Sequence, residues 1–366
     1  MSTVKLVVSF LLAFFQVLSP IVGLVAKGGE DRFFTEWSVS DTFDKDDYIE
    51  LKKTPGEDFK ILNLADIQLK DDLMYTPTGE YSMELIDELV ADHDPDLITL
   101  SGDNAWGTMA YIELFRQLDS YRIPWAPVMG NHDGQATIGE FWAAYLMYKS
   151  EYSLFRFGPK DMGYGNYIIN ITENGKIIHT LFMMDTHNSA TYPLEDGTTV
   201  SGYDHLWKNQ MDWYKWAVEA IADIEGHTVE STVIVHIPVV EYADAWNMVK
   251  IESDNPEEVD GKINPDFSAI ASGKRYEGVS SAPVNNGFFA LCKELASTKN
   301  ILVGHDHIND FSILYEGITL TYAVKTGFGA YYHKDMIGGT TITVNSQGNA
   351  KIHQNYYDPV EYGYIL

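Results

Sequence analysis

Apolar residues along this chain come in short runs that stop at polar residues, with stripes spaced three and four apart between them. Lys60-Ile61-Leu62-Asn63-Leu64-Ala65 halts at Asp66, and Leu97-Ile98-Thr99-Leu100 halts before Gly102-Asp103. Trp125-Ala126-Pro127-Val128-Met129 runs into Gly130-Asn131-His132-Asp133. Short apolar runs bounded by turn-forming residues predict buried strands. Between them Leu85, Ile86, Leu89 and Val90 share one helical face, as do Tyr111, Ile112, Leu114, Phe115 and Leu118. The rhythm resumes with a run over 177–184 that ends at Asp185, then a helical stripe of Trp213, Trp216, Val218 and Ile221. Thr232-Val233-Ile234-Val235 ends at His236, and a helix over 288–295 precedes Ile301-Leu302-Val303 and Gly304-His305. Further strands are expected over 318–322 and 340–344. Strand, polar turn, helix is the rhythm of an α/β fold, and the first three units read as βα crossovers. Two stretches break it. Residues 27–57 are polar and acidic and read as a lead-in segment. Residues 241–286 carry Glu252, Asp254, Glu257, Glu258 and Asp260 among scattered Gly and Pro, and read as a cap or long loop over a site. The folded domain is expected over 58–366.

The N-terminus and the composition narrow the class. After Lys5 no charged residue occurs until Lys27, and Leu6 to Phe15 is almost wholly apolar. This predicts an export signal or a membrane anchor over 1–26, and hence a secreted or cell-surface protein. Any membrane association is expected only through that segment. Of 366 residues 45% are apolar and 13% aromatic, enough for a sizeable core. Acidic residues outnumber basic ones 53 to 25, a formal charge of −28. Such a surface repels polyanions and excludes non-specific nucleic-acid binding. Cys292 is the sole cysteine, so neither an intramolecular disulfide nor a thiolate cage can form; beside Phe288-Phe289-Ala290-Leu291 it reads as core. Asn170-Ile171-Thr172 is a glycosylation sequon. Nothing in the sequence sets the oligomeric state.

The polar residues at the predicted strand ends carry the chemistry. Asp66, Asp103, Asn131, His236, His305 and His307 all fall there, the edge at which open α/β sheets bind ligands. Any one alone would be a turn or packing residue. Six nitrogen and oxygen donors, three of them in glycine-flanked motifs, point to a metal cage suited to zinc, manganese or iron. Such a positive centre would let a phosphate approach an acidic protein.

Gly102-Asp103, Gly130-Asn131-His132-Asp133, His236 and Gly304-His305-Asp306-His307, in that order, resemble the signature of the calcineurin-like metallophosphoesterases. Asn309-Asp310 and Lys325-Thr326-Gly327-Phe328-Gly329 resemble a branch of non-purple relatives of purple acid phosphatases. The resemblance implies a four-layer α/β/β/α sandwich of two mixed sheets. It implies two divalent or trivalent ions, with Asp66 and His307 on the first, Asn131, His236 and His305 on the second, and Asp103 bridging. A hydroxide held between the ions would attack a small phosphorylated substrate, and His132 would protonate the leaving group, oriented by Asp133 or a nearby carboxylate. Phosphomonoester hydrolysis is the first expectation and phosphodiester hydrolysis the alternative. The chain departs from the pattern at Asp66-Ile67-Gln68, where the family usually has Asp-x-His. Gln68 could ligate through its carbonyl, hydrogen-bond a metal-bound water, or leave a position open. It also keeps alive a non-catalytic exported binding protein on the same scaffold. Trp106 stands where purple enzymes carry their tyrosine, so no purple absorption band is expected. His187 is a candidate substrate contact, as are Tyr203, Asp204 and His205. His93, His179, His227, His333 and His353 lie outside the motifs and read as structural.

Overall fold

The computed structural model of the chain describes residues 29–72, 74–135, 139–252 and 261–358. The expected signal or anchor at 1–26 therefore lies outside the described residues, as do 253–260 of the expected cap. β1 (Ile49–Lys52) and β2 (Phe59–Leu64) lead into α1 (Pro77–His93), β3 (Leu97–Leu100), α2 (Thr108–Ser120), β4 (Trp125–Pro127) and α3 (Glu140–Lys149). Then come β5 (Tyr167–Glu173), β6 (Lys176–Met183), a hairpin of β7 (Ser189–Pro193) and β8 (Thr199–Tyr203), α4 (Lys208–Glu225), β9 (Glu230–Ile234) and α5 (Glu241–Val249). β10 (Ala271–Ser272), α6 (Phe288–Leu295), β11 (Thr298–Val303), β12 (Ser312–Tyr315), β13 (Ile318–Tyr322), β14 (Gly338–Val344) and β15 (Ala350–Tyr356) complete the path. Local chemistry sets the ends of these elements. Pro77 opens α1 at a position where a missing N–H is harmless, and Asp94 stops it in a left-handed conformation at φ 44°.

Five strands in the order β15-β14-β2-β3-β4 make one mixed sheet, with β2, β3 and β4 parallel. Eight in the order β1-β5-β6-β9-β11-β13-β12-β10 make the other, with β6, β9, β11 and β13 parallel. Alternate residues of the large sheet enter different cores. Ile169, Leu181, Met183, Ile234 and Leu302 join Ile61, Leu62 and Ile98 of the small sheet. Ile168, Phe182, Val233, Ile301 and Val303 join Trp213 and Tyr214 of α4, Tyr242 of α5 and Phe288 of α6. Leu85 and Leu89 of α1, with Tyr111 and Leu114 of α2, are buried with the small sheet. The layers run helix, sheet, sheet, helix, the four-layer α/β/β/α sandwich that the resemblance implied. Covering both faces of a sheet explains why its strands read as unbroken apolar runs.

Three local readings differ from the structure. The segment expected as a lead-in is built into the fold. β1 pairs in parallel with β5, and buried Phe43 stacks on Tyr48 with ring centroids 4.3 Å apart and packs against Trp216. Aromatic burial outweighs the acidic composition there. The stretch expected as a cap begins as α5, whose Tyr242, Ala245, Trp246 and Val249 are buried in the outer core. Asn170 of the sequon is only 2% exposed in mid-strand, its side chain bonded to Thr180, so the folded chain does not offer it for glycosylation. Cys292 is buried in the core, and burial pushes its thiol up to about 12. Among the described residues no helix is long and apolar enough to cross a membrane.

Candidate metal centre

The candidate ligands leave the strands at one edge of the sandwich. Asp66 follows β2, Asp103 follows β3, Asn131 follows β4, His236 follows β9, and His305 and His307 follow β11. Asp66, Gln68, Asp103 and His305 have φ of 51°, 49°, 51° and 80°, the left-handed region that non-glycine residues rarely occupy. The chain accepts strain at four site positions to turn these side chains inward. Two glycines make room. A Cβ on Gly102, itself at φ 94°, would stand 2.6 Å from the His236 ring, and one on Gly130 would stand 2.2 Å from the Asp103 nitrogen.

His236 donates its Nδ1 proton to the Ser101 carbonyl at 2.9 Å, which leaves the lone pair on Nε2. Around that nitrogen lie Asn131 Oδ1 at 2.9 Å, His305 Nδ1 at 3.2 Å and Asp103 Oδ1 at 3.3 Å. Acceptors this close repel unless positive charge lies among them. A proton on Nε2 satisfies one of them at a time, whereas a metal ion satisfies all. Donor atoms about 2.0–2.2 Å from a shared ion lie about 2.9–3.5 Å from one another, which is the spacing found. The other His305 nitrogen, Nε2, is buried without a hydrogen-bond partner. Asp66, Asp103 and His236 also present atoms within 4.8 Å of one another, all buried. The charges agree. Burial resists a charge on His236, yet Asp103 and Asp66 raise it to about 9. Burial, then His236, pushes His305 down to about 3. Burial opposes the Asp103 carboxylate, but His236 beside it holds it well below the usual range. Two imidazoles, an amide oxygen and a carboxylate fit a borderline cation.

The other expected ion position keeps Asp66 and His307 but loses the third donor expected at residue 68. His307 Nε2 lies 3.6 Å from Asp66 Oδ1, and His307 Nδ1 donates to the Tyr331 carbonyl at 2.9 Å. Both Asp66 oxygens face the backbone N–H of His305, at 3.1 and 3.0 Å. Gln68 is occupied elsewhere. Its Nε2 donates to Asp103 Oδ2 at 2.8 Å, and its Oε1 accepts from Lys325 Nζ at 3.4 Å. Only this orientation of the amide works, because the reverse would set oxygen against carboxylate and NH2 against ammonium. Gln68 is therefore not placed as a ligand, a correction to the sequence reading. Lys325, 2% exposed, also donates to the Asp66 carbonyl at 2.5 Å. Burial lowers it to about 8 against the pull of Asp66 and Asp103.

At the rim His132 is half-buried and set edge-on to Trp106, with ring centroids 4.4 Å apart. Its backbone N–H donates to Asp103 Oδ1 at 2.8 Å, and its Nε2 lies 3.9 Å from Asp103 Oδ2. Its Nδ1 meets Gln135 Oε1 at 2.9 Å, so Gln135 orients the ring and Asp133 does not. Asp133 is fully buried. It accepts from Asn104 N and Nδ2 at 2.9 Å, Gly130 N at 2.8 Å and the Tyr111 hydroxyl at 2.5 Å, tying the two motif turns together. It is thus placed to hold the two turns together, not to orient His132 as expected. His187 is committed elsewhere too, with Nε2 on Gln210 at 2.9 Å and its ring stacked on Trp207 at 3.8 Å. Its neighbour Asn188 reaches the site instead, donating to the Asn131 carbonyl at 2.8 Å. Tyr203 sets its ring edge-on to His305 at 4.3 Å, while Asp204 accepts from Tyr192 and His205 turns to the Leu206 carbonyl. No sequence signal marks Gln135. Lys325 stands in a motif that carried resemblance but no chemistry.

Residues 59–309 match the sequence model of the calcineurin-like phosphoesterases. The chain is 30% identical over 269 residues to a protein named probable inactive purple acid phosphatase 14 of Arabidopsis thaliana, covering 66% of this chain and 61% of that one. It is 25% identical over 288 residues to phosphatase DCR2 of Saccharomyces cerevisiae, covering 72% and 46%. The alignments thus span less than two thirds of these relatives' length. A crystal structure of a dimetal phosphatase from Danio rerio aligns over 80% of this chain and 98% of its own, at 10% identity and a TM-score of 0.45.

Proposed function

Because the chain belongs to the calcineurin-like phosphoesterase family, we propose that it is an exported, metal-dependent hydrolase of small phosphorylated substrates, a phosphomonoesterase first and a phosphodiesterase second. The observation that carries this reading is the gathering of Asn131, Asp103 and His305 acceptors around His236 Nε2. An iron, manganese or zinc ion there supplies Lewis acidity toward water and the phosphoryl oxygens. The chain's own residues do the rest. Asp103, Asn131, His236 and His305 would hold the ion in a buried site, where charge is poorly screened. His132, fixed by Gln135, presents Nε2 beside Asp103 and delivers a proton to the leaving oxygen while water attacks phosphorus.

Gln68 and the name of the Arabidopsis relative favour one other reading, a non-catalytic binding protein. The full chain, stripped with chelator and reloaded with Mn2+ or Zn2+, separates the two. The expected result is hydrolysis of p-nitrophenyl phosphate, slower hydrolysis of bis(p-nitrophenyl) phosphate, and loss of both with chelator. Asp103→Asn is expected to lower the rate by about 100-fold or more while the circular dichroism spectrum is unchanged. Inertness toward both substrates after loading would leave the binding protein. Recovery of the activity with intact cells or medium, rather than cytosol, checks the export read from the apolar N-terminal stretch.

A further inference from the structure

A buried ammonium lies behind the turn that carries two of the side chains expected around a first ion. Lys325 has only 2% of its surface exposed, and its ammonium donates to the Asp66 carbonyl at 2.5 Å and to Gln68 Oε1 at 3.4 Å. Gln68 completes the relay by donating to Asp103 Oδ2 at 2.8 Å, on the carboxylate expected to bridge two ions. The histidine that the family usually sets at residue 68 would bring a lone pair to that spot, whereas Gln68 brings an N–H. An N–H aimed at Asp103 Oδ2 and a metal ion on the same lone pair exclude each other.

The backbone holds this arrangement in place. Residues 325–329 run along the turn that carries Asp66 and Gln68. Thr326 N–H donates to the Ala65 carbonyl at 2.8 Å, and the Thr326 hydroxyl accepts from Ala65 N at 3.2 Å. Gly327 lies so close that a Cβ would stand 1.9 Å from the Ile67 carbonyl oxygen, and one on Gly329 would stand 2.4 Å from that of Gln68. A divalent ion brought beside the Lys325 ammonium would face a like charge in a buried setting, where repulsion is poorly screened.

We infer that this chain holds one metal ion, at Asp103, Asn131, His236 and His305, and that Gln68, anchored by Lys325, takes the Asp103 oxygen a second ion would need, while the Lys325 ammonium adds positive charge behind Asp66. The inference rests on the proposed metal-dependent site and narrows it. Lys325 and Gln68 are positioning residues here, because neither is placed to touch substrate.

The test counts ions and reads their coupling. Chelator-stripped full chain is dialysed against Mn2+, its metal content measured, and its paramagnetic resonance spectrum recorded. The expected result is one Mn2+ per chain with the hyperfine pattern of an isolated ion. Two bound ions with an exchange-coupled spectrum would overturn the inference and leave the metal-dependent reading standing. No bound ion would overturn both. Gln68→His alone is expected to remain at one ion, because the ammonium stays, and two ions in that variant would remove Lys325 from the account. Gln68→His with Lys325→Ala is expected to take a second ion and show coupling. If it folds and stays at one, the displacement is wrong. Should the double variant not fold, the wild-type and Gln68→His counts still decide.

Discussion

His132 and Asp133 are neighbours with opposite tasks. The histidine is partly open and held by Gln135, while the aspartate is sealed under the turn and saturated with donors. A general acid matters in proportion to how poor the leaving group is. His132→Ala is therefore expected to slow an alkyl phosphomonoester by about 100-fold while slowing p-nitrophenyl phosphate much less, a contrast read from kcat on the two substrates. An equal loss on both would take the proton-donor role from His132. Gln135→Ala should follow the same pattern more weakly, because it only frees the ring. Asp133→Asn should act on folding instead. Replacing one oxygen with NH2 sets donor against donor, and a loss of about 2–4 kcal/mol in denaturant unfolding is expected.

The strand ends are the elements that make the site, and they were the most legible part of the sequence. β2, β3, β9 and β11 announce themselves as apolar runs that stop at Asp66, Gly102-Asp103, His236 and Gly304-His305. β5 is harder to see, because its buried Asn170 and Thr172 look polar in sequence. Their partners Thr180 and Glu50 lie on neighbouring strands. α3 has no clean stripe, since Phe33 and Phe157 pack against a helix already rich in aromatics. β1 is hidden in an acidic segment, and Gln68 read as an open question because its partners, Lys325 and Asp103, are far away in the chain. His179 shows what a sheet can do to one titrating group. It is fully buried in β6, donating Nδ1–H to the Gly348 carbonyl and accepting from the Thr232 hydroxyl. Burial lowers it from 6.5 to about 4. A proton then binds the unfolded chain first, so the stability from neutral His179 is whole above pH 6.5 and is lost as pH falls toward 4. The loss is on the order of 3 kcal/mol at its limit. Urea unfolding at pH 7.5 and pH 5 should show a smaller pH effect in His179→Gln, and equal pH effects would contradict the assignment.

At the scale of the whole molecule the formal charge of −28 sets the terms of approach. Under the proposed function, a phosphomonoester dianion would have to cross a repulsive field before meeting the metal site. Salt shortens that field from about 30 Å at 0.01 M to about 8 Å at 0.15 M. kcat/KM for the monoester is expected to rise with ionic strength over this range, and more steeply than for a singly charged diester. A fall instead would mean that the local field of the site governs capture.

Asp103 and Asn131 arrive from the small sheet, and His236 and His305 from the large one. An ion gripped by all four would be a rivet through the seam of the sandwich, in a chain whose single cysteine can staple nothing. Filling such a site at a hundred times its dissociation constant strengthens the native state by about 2.7 kcal/mol. Metal starvation would then thin out the folded population itself, and the amides at both strand edges would trade their hydrogens with solvent faster as activity fell.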